Sequence, residues 1–382
     1  MAVLIACSML NLAVLNPANA QQTSDSAAEL IEAAIEDGQM AGAVVMLARG
    51  GETVYAKAFG DAQVEPERRP MRLDTVFDLA SLTKPVATAT SIMCLIDRGE
   101  LTADTTIAAV LPEFGTHGKD VLTVEDLLLH RGGLIADNAL SDYSDDPAAT
   151  WQNICDLKPL AAPGERFIYS DVGFIVLGKV VEAVSGQGLD TFSQSAIFQP
   201  LGMDETQFNP PAELRQRAAA TEKHKGEFLV GRVHDPRAAR MGGVAGHAGL
   251  FSTAADLIRY GNAMGGKRDD GEGDDGDGDG DKASPQRLLS GEALAQMTRG
   301  RDVPRGTRGY GWDVRSPYSS NRAEGYSDEA FGHGGFTGTV LWIDPAEETV
   351  FVWLSNRLHP DGRGAVNRLA AQVADRLLEA TQ

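Results

Sequence analysis

Ser81 and Lys84 stand three residues apart in Phe77-Asp78-Leu79-Ala80-Ser81-Leu82-Thr83-Lys84-Pro85, and an apolar run from Val86 to Ile96 follows them. That run reads as a helix, so positions i and i+3 put a hydroxyl and an amine on one face, about 5–6 Å apart at Cβ. Both would lie at the helix start, where free N–H groups and the helix dipole favour negative charge. A serine hydroxyl becomes a nucleophile when a neighbouring base takes its proton. A lysine is such a base if burial or nearby cations lower its pKa. The chemistry in prospect is acyl transfer through a covalent serine ester. S-x-x-K by itself is a common tetrapeptide and equally describes a helix N-terminus with no catalytic role.

Two further segments carry groups that complete such chemistry. Tyr169-Ser170-Asp171 stands just before an apolar helical run. A phenol relays protons where neighbouring cations stabilise its anion, and Lys84 would serve. Taken alone, the segment is also a tyrosine packed at a helix start, with Ser170 or Asp171 as N-cap. Phe331-Gly332-His333-Gly334-Gly335-Phe336-Thr337-Gly338 leads into a strand at Thr339. Its glycines let another group approach the backbone closely, and an N–H there can point at a developing oxyanion. Taken alone, it is a strand-entering turn.

In this order and spacing the three segments resemble the serine penicillin-recognising superfamily, which includes class C β-lactamases, DD-peptidases and related esterases. That family carries S-x-x-K at a helix start, then Y-x-N, then K-T-G on an edge strand. The resemblance runs from about residue 27 to 380, and Phe77 and Pro163-Gly164 also fit it. It implies that Ser81 is acylated, that Lys84 shares its proton, and that Tyr169 is general base for the serine or for the deacylating water. Backbone N–H groups of Ser81 and Phe336 would form the oxyanion hole. Asp171 stands where the family's Asn contacts the substrate amide, which adds negative charge. His333, followed by Gly334 and Gly335, replaces the K-T-G lysine. A histidine there weakens any fixed positive charge for a substrate carboxylate at neutral pH. These departures point away from efficient β-lactam hydrolysis and toward esterases or specialised peptidases. No metal or cofactor is implied.

The stretch Val233 to Ser252 is similar to a subgroup that includes cell-wall recycling amidases and D-Ala-D-Ala carboxypeptidases. Its glycines imply sharp turns. His247 reads as packed against backbone, and His234-Asp235 as structural, because Lys84 and Tyr169 already supply the base.

The elements that must position these groups follow from periodicity. A helix is expected over 27–37, and two strands, Ala43–Leu47 and Thr53–Phe59, form a hairpin through Gly50-Gly51. Helices are expected at Ser81–Asp97, Val124–His130, Phe174–Val184 and Ser252–Met264, the last capped by Ser252 or Thr253. Thr339–Ile343 and Thr349–Leu354 form a second hairpin, and Gly364–Ala380 closes the chain as a helix. Strands at both ends with helices between them imply an α+β fold: an antiparallel sheet built from N- and C-terminal segments, flanked by helices, plus a helical lobe at about 85–240.

The 382 residues, 43% hydrophobic and 23% charged, suit one globular domain over 21–382. Residues 1–20 read as an export signal, with an apolar stretch and Ala18-Asn19-Ala20 as the cleavage site, though the usual basic start is missing. The expected location is therefore periplasmic or extracellular. A net charge of −20 argues against nucleic acid or an anionic membrane as partner. Within the acidic Gly-rich stretch 265–282, residues 267–282 hold eight acids against three bases, a composition that predicts a solvated loop. Asp275 to Gly280 matches the first half of a calcium loop, but Gln286 stands where the bidentate Glu belongs, so a charged linker is the better reading. Cys94 falls inside an apolar helix and reads as a buried thiol, and no Cys/His cluster has zinc spacing. No run after the signal is long enough to span a membrane.

The sequence therefore predicts an exported serine hydrolase working through an acyl-enzyme on a peptidoglycan-derived peptide, a β-lactam or a small ester. The alternatives are a small-ester carboxylesterase and a non-catalytic binder of cell-wall fragments.

Overall fold

The computed structural model of the chain describes residues 17–265, 288–362 and 364–381. Most of the export segment, and the acidic stretch beyond Gly265 with its calcium-like motif, lie outside the described residues.

Among the described residues nine strands form one antiparallel sheet from both ends of the chain. The N-terminal strands are β1 (Gly42–Arg49), β2 (Glu52–Gln63) and β3 (Arg69–Pro70). The C-terminal ones are β4 (Arg301–Val303), β5 (Gly306–Arg308), β6 (Asp313–Arg315), β7 (Phe331–Gly335), β8 (Thr339–Asp344) and β9 (Thr349–Ser355). Their spatial order is β3-β2-β1-β9-β8-β7-β6-β5-β4, so the ends of the chain meet where β1 pairs β9, from Ala43 opposite Ser355 to Arg49 opposite Thr349. The β1–β2 turn has positive φ at both Gly50 (57°) and Gly51 (85°), the backbone of a two-residue hairpin turn of the primed type.

β1, β8 and β9 read as unbroken apolar runs because the sheet is covered on both faces. Val45 and Leu47 of β1, Trp342 of β8 and Phe351 and Trp353 of β9 join one core with the helices α1 (Pro17–Glu36) and α5 (Asn367–Ala380). Their neighbours Val44, Met46, Leu341 and Val352 join the larger core on the opposite face. There they meet α4 (Ala254–Gly265) and the helical region that holds α2 (Thr90–Asp97) and α3 (Asp171–Ser185). The fold is the expected α+β arrangement. No single helix among the described residues is long and apolar enough to cross a membrane.

The expected elements differ in detail. The first helix begins at Pro17, not at residue 27, and so runs through Ala18-Asn19-Ala20. The helix expected from Ser252 begins at Ala254, because Ser252 belongs to a short strand and Thr253 accepts the Asp256 N–H at 3.4 Å. Ser170 is the N-cap of α3: its Oγ accepts the Gly173 N–H at 3.0 Å and donates to the Ile135 carbonyl at 2.7 Å. Ser170→Ala leaves that helix end and that carbonyl unsatisfied. We expect it to cost about 0.5–2 kcal/mol, read as a lower thermal midpoint.

Candidate active site

The nucleophile helix is irregular where chemistry would need it. Ala80, directly before Ser81, has φ 46°, a left-handed backbone that a residue with a Cβ adopts only under constraint. Residues 80–82 form a 3₁₀ turn, and Lys84–Ala89 wind as a π-type turn before α2 begins at Thr90. Such turns concentrate at functional sites. Buried Asp78 holds the strained turn: its Oδ1 accepts the Ala80 N–H at 2.9 Å and its Oδ2 accepts the His234 N–H at 2.6 Å. Burial raises its carboxyl above the usual range, against the pull of those two bonds.

β7 and β8 are tied to the same segment. Thr337 Oγ1 donates to the Asp78 carbonyl at 2.7 Å, and Thr339 Oγ1 to the Leu79 carbonyl at 3.1 Å. A Cβ at Gly335 would stand 2.3 Å from that Leu79 carbonyl, so only glycine lets β7 lie this close to the serine. Ser81, Tyr169, His333, Gly334, Gly335 and Phe336 line one cleft of about 690 Å³. Phe336 projects from its rim with its side chain largely exposed.

Lys84 is fully buried. Its Nζ donates to Ser81 Oγ at 3.1 Å and to the His247 carbonyl at 3.1 Å, and stands 2.6 Å from Asp171 Oδ1. Burial pulls the ammonium down, but Asp171 and Tyr169 beside it more than offset that, and the group titrates above its ordinary 10.5. Burial raises Asp171, yet Lys84 and His247 outweigh it and hold the carboxyl below 3.8. Lys84 is therefore a cation across the neutral range. Asp171, the first residue of α3, faces the lysine as its counter-ion instead of standing as a free amide-type contact.

The Lys84 contribution to stability is complete below 10.5 and is lost as pH rises through the raised value; that of Asp171 is complete above 3.8 and is lost as pH falls through the lowered one. In Asp171→Asn the burial penalty on Lys84 loses its main opponent, so the lysine should deprotonate at lower pH. The expected result is an alkaline ionisation in the kcat/KM profile, on a p-nitrophenyl ester, that moves to lower pH than in the wild type. An unchanged profile contradicts the assignment.

Tyr169 packs against His130, with ring centres 4.4 Å apart, and against Tyr318 at 4.8 Å, while Lys84 Nζ sits 4.9 Å from its ring centre. Its hydroxyl stands 3.5 Å from His333 Nε2. His333 is buried with Nδ1 2.7 Å from the Gly334 carbonyl. Burial, then Arg308 and Lys84, push its pKa well below 6.5, so it is a neutral ring.

His247 is buried, with Nε2 3.0 Å from Asp235 Oδ1, and it serves the lysine through its backbone carbonyl. His234 does not pair with Asp235; its Nε2 faces Glu222 at 3.1 Å. One atom each of Asp171, Asp235 and His247 lie within 4.8 Å of one another, a candidate cation donor set, but Lys84 already supplies the positive charge there. Cys94 and Cys155 are buried free thiols.

Three residues near the site carry no motif. Asp78 reads as an ordinary acid in the strand before the serine. His130 reads as part of a helix stop, yet its Nδ1 accepts the Ser170 N–H at 3.0 Å and its ring braces Tyr169. Arg308 is fully buried and lines the cleft. The one local signal is the left-handed turn at His130 (φ 56°), foreshadowed by Gly132-Gly133.

Comparison with known proteins agrees with this arrangement. A family model described as "Beta-lactamase" matches residues 27–375. The chain is 34% identical over 353 residues to a protein named "Putative D-alanyl-D-alanine carboxypeptidase" in Escherichia coli K12, covering 82% of this chain and 78% of that protein. Among solved structures, a penicillin-binding protein homologue from Caulobacter crescentus superposes with TM-score 0.72 at 24% identity, covering 94% of this chain and 97% of that one. A class C β-lactamase in complex with cefoxitin gives 0.75 at 18% identity, covering 95% and 99%. A hydrolase with promiscuous acyltransferase activity gives 0.72 at 23%, covering 94% and 99%. With the serine, lysine, tyrosine and glycine-rich strand gathered at one cleft, the chain belongs to the β-lactamase and penicillin-binding-protein superfamily of serine hydrolases.

Proposed function

We propose that the chain is an exported serine hydrolase acting through a covalent acyl-enzyme, with a peptidoglycan-derived peptide as its best-supported substrate and D-alanine carboxypeptidase-type cleavage as the reaction. The observation that carries the reading is the Lys84 Nζ to Ser81 Oγ contact at 3.1 Å in the cleft that Tyr169 lines.

Because Lys84 is held as an ammonium, it donates to Ser81 and cannot take its proton. The base is then Tyr169, which takes that proton as its phenolate, with the Lys84 ammonium beside it as counter-charge. Ser81 Oγ passes its proton to the tyrosine oxygen and bonds to the substrate carbonyl carbon. The carbonyl oxygen turns toward the Ser81 and Phe336 N–H groups. As the tetrahedral centre collapses, the scissile C–N bond breaks and the proton moves on to the leaving amine, which leaves an ester on Ser81. Water repeats the sequence: Tyr169 takes its proton, the new hydroxide oxygen bonds to the ester carbon, and Ser81 leaves with that proton. Lys84 stabilises negative charge developing on the serine and tyrosine oxygens.

A second reading, a small-ester carboxylesterase, is favoured by neutral His333 in the position of the family's lysine. Purified protein assayed with a D-Ala-D-Ala peptide, a muramyl peptide, nitrocefin and short-chain p-nitrophenyl esters separates the two. Turnover of the peptides with kcat/KM above that of the esters is expected. Turnover of esters alone moves the assignment to the second reading, and neither burst nor steady rate on any of them leaves a non-catalytic binder.

A further inference from the structure

An oxyanion hole works only if its N–H donors are held at a fixed separation before the charge develops. In this chain the two donors come from distant segments, Ser81 and Phe336. The Ser81 N–H belongs to the Ala80–Ser81 peptide, so the left-handed Ala80 (φ 46°) aims it. The Phe336 N–H belongs to the peptide that follows Gly335, the last residue of β7. One buried carboxylate reaches toward both. Asp78 Oδ1 accepts the Ala80 N–H at 2.9 Å and so pins the left-handed residue, while Oδ2 accepts the His234 N–H at 2.6 Å. The His234 ring lies against the Phe336 ring, with centres 5.4 Å apart and planes at 30°. The contacts therefore run from Ala80 through Asp78 and His234 to Phe336.

Phe336 needs that support. Its residue is 59% exposed, and it follows Gly335, whose dihedrals no Cβ restricts. Thr337 and Thr339 tie the neighbouring backbone to the Asp78 and Leu79 carbonyls, but neither bond holds the Phe336 side chain. That is done by His234 and by Arg357, whose guanidinium carbon lies 4.6 Å from the ring centre. The His234 side chain is only 10% exposed, and its Nε2 faces Glu222 Oε1 at 3.1 Å. The next residue, Asp235, accepts the Arg237 and Ala238 N–H groups at 2.9 and 2.7 Å. His234 is thus fixed at its backbone, at its ring and through its neighbour.

We propose that Asp78 and His234 are positioning residues for the oxyanion hole. The carboxylate sets the Ser81 side, and the imidazole carried on that carboxylate sets the Phe336 side. The ring acts through its face, and neither residue touches the reacting atoms. This rests on the hydrolase reading and deepens it.

The test compares His234→Ala, His234→Phe and Asp78→Asn with the wild type, on a p-nitrophenyl ester and with phenylboronic acid. Boron takes a lone pair from Ser81 Oγ and then holds an oxygen where the oxyanion forms, so the inhibitor reports on the hole without turnover. His234→Ala keeps the N–H bonded to Asp78 and removes only the ring. It should lower kcat/KM about 10- to 100-fold through kcat, with KM little changed, and weaken the inhibitor by the same factor; loss of a whole donor costs about 100- to 1,000-fold. His234→Phe restores a ring face and should recover most of both. Asp78→Asn keeps one of two acceptor oxygens and should fall at least as far as His234→Ala. A folded His234→Ala or Asp78→Asn protein with wild-type rate and inhibitor affinity overturns the proposal. So does a rate loss without a matching inhibitor loss, because the defect then lies outside the hole. A His234→Phe protein as slow as His234→Ala also overturns it, because the ring nitrogens and not the ring face would then matter. If the wild type hydrolyses neither esters nor peptides, the hydrolase reading fails and the inhibitor alone decides. Binding about 10- to 100-fold weaker in His234→Ala than in the wild type sustains the proposal, and equal or absent binding overturns it.

Discussion

Lys84→Met should lower the rate of ester-driven acylation by roughly 100- to 10,000-fold, the range for removing a positioned proton-handling group. The expectation comes from three contacts of one nitrogen: Ser81 Oγ at 3.1 Å, the His247 carbonyl at 3.1 Å and Asp171 at 2.6 Å. Methionine keeps most of the volume and none of the charge. The same change leaves the Asp171 carboxylate buried without its counter-ion, beside Asp235 and hydrogen-bonded to Asp137. Losing one partner of a buried pair costs about 3–5 kcal/mol, so the melting temperature should fall as well. The double variant Lys84→Met/Asp171→Asn removes both charges and separates the two effects. It should recover most of the stability and none of the rate. Burst kinetics and a thermal melt on both variants read the outcome, and recovery of rate in the double variant would show that the lysine's part is only structural.

Tyr169→Phe is expected to lose roughly 100- to 10,000-fold in kcat/KM with little change in stability. The ring does the packing, against His130, Tyr318 and the Lys84 ammonium, and phenylalanine preserves it. The hydroxyl stands 3.5 Å from His333 Nε2, a contact too long to support the fold, and also interacts with the Lys84 ammonium. A folded Tyr169→Phe protein that keeps wild-type kcat/KM would move the base elsewhere. The two variants also differ in their dependence on the leaving group. Tyr169 should matter more for peptide amides, whose nitrogen must be protonated, than for p-nitrophenyl esters, whose leaving group needs no proton.

What is legible in the sequence is what is encoded locally. Helix periodicity after Ser81 and the cluster of glycines after His333 point at their own structure, and the covered sheet shows in apolar runs such as Val350 to Leu354. Long-range partners are not encoded in this way. Nothing around Asp171 says that its carboxylate meets a lysine from another helix, so its place in the motif suggests a substrate contact instead. Arg308 sits in Gly306-Thr307-Arg308-Gly309, with no period or motif, and its burial depends on the register of β5 against β6. β4, β5 and β6 are three residues each, too short to show alternation. The strained turn at Ala80 is also silent in sequence, because it is held by Asp78 and by threonines from β8 and the turn before it. Departures from the family pattern are visible as letters, while their physical meaning, an ion pair at Asp171 and a neutral ring at His333, needs the neighbours.

Catalysis of this kind passes through one bond, an ester at Ser81. Incubating the protein with a fluorophosphonate or a penicillin and measuring intact mass, followed by peptide mapping, tests it directly. The predicted result is a single covalent adduct on the peptide that carries Ser81, formed by the wild type and absent in Ser81→Ala. An adduct of undiminished yield in Ser81→Ala, or one mapped to another residue, would contradict it.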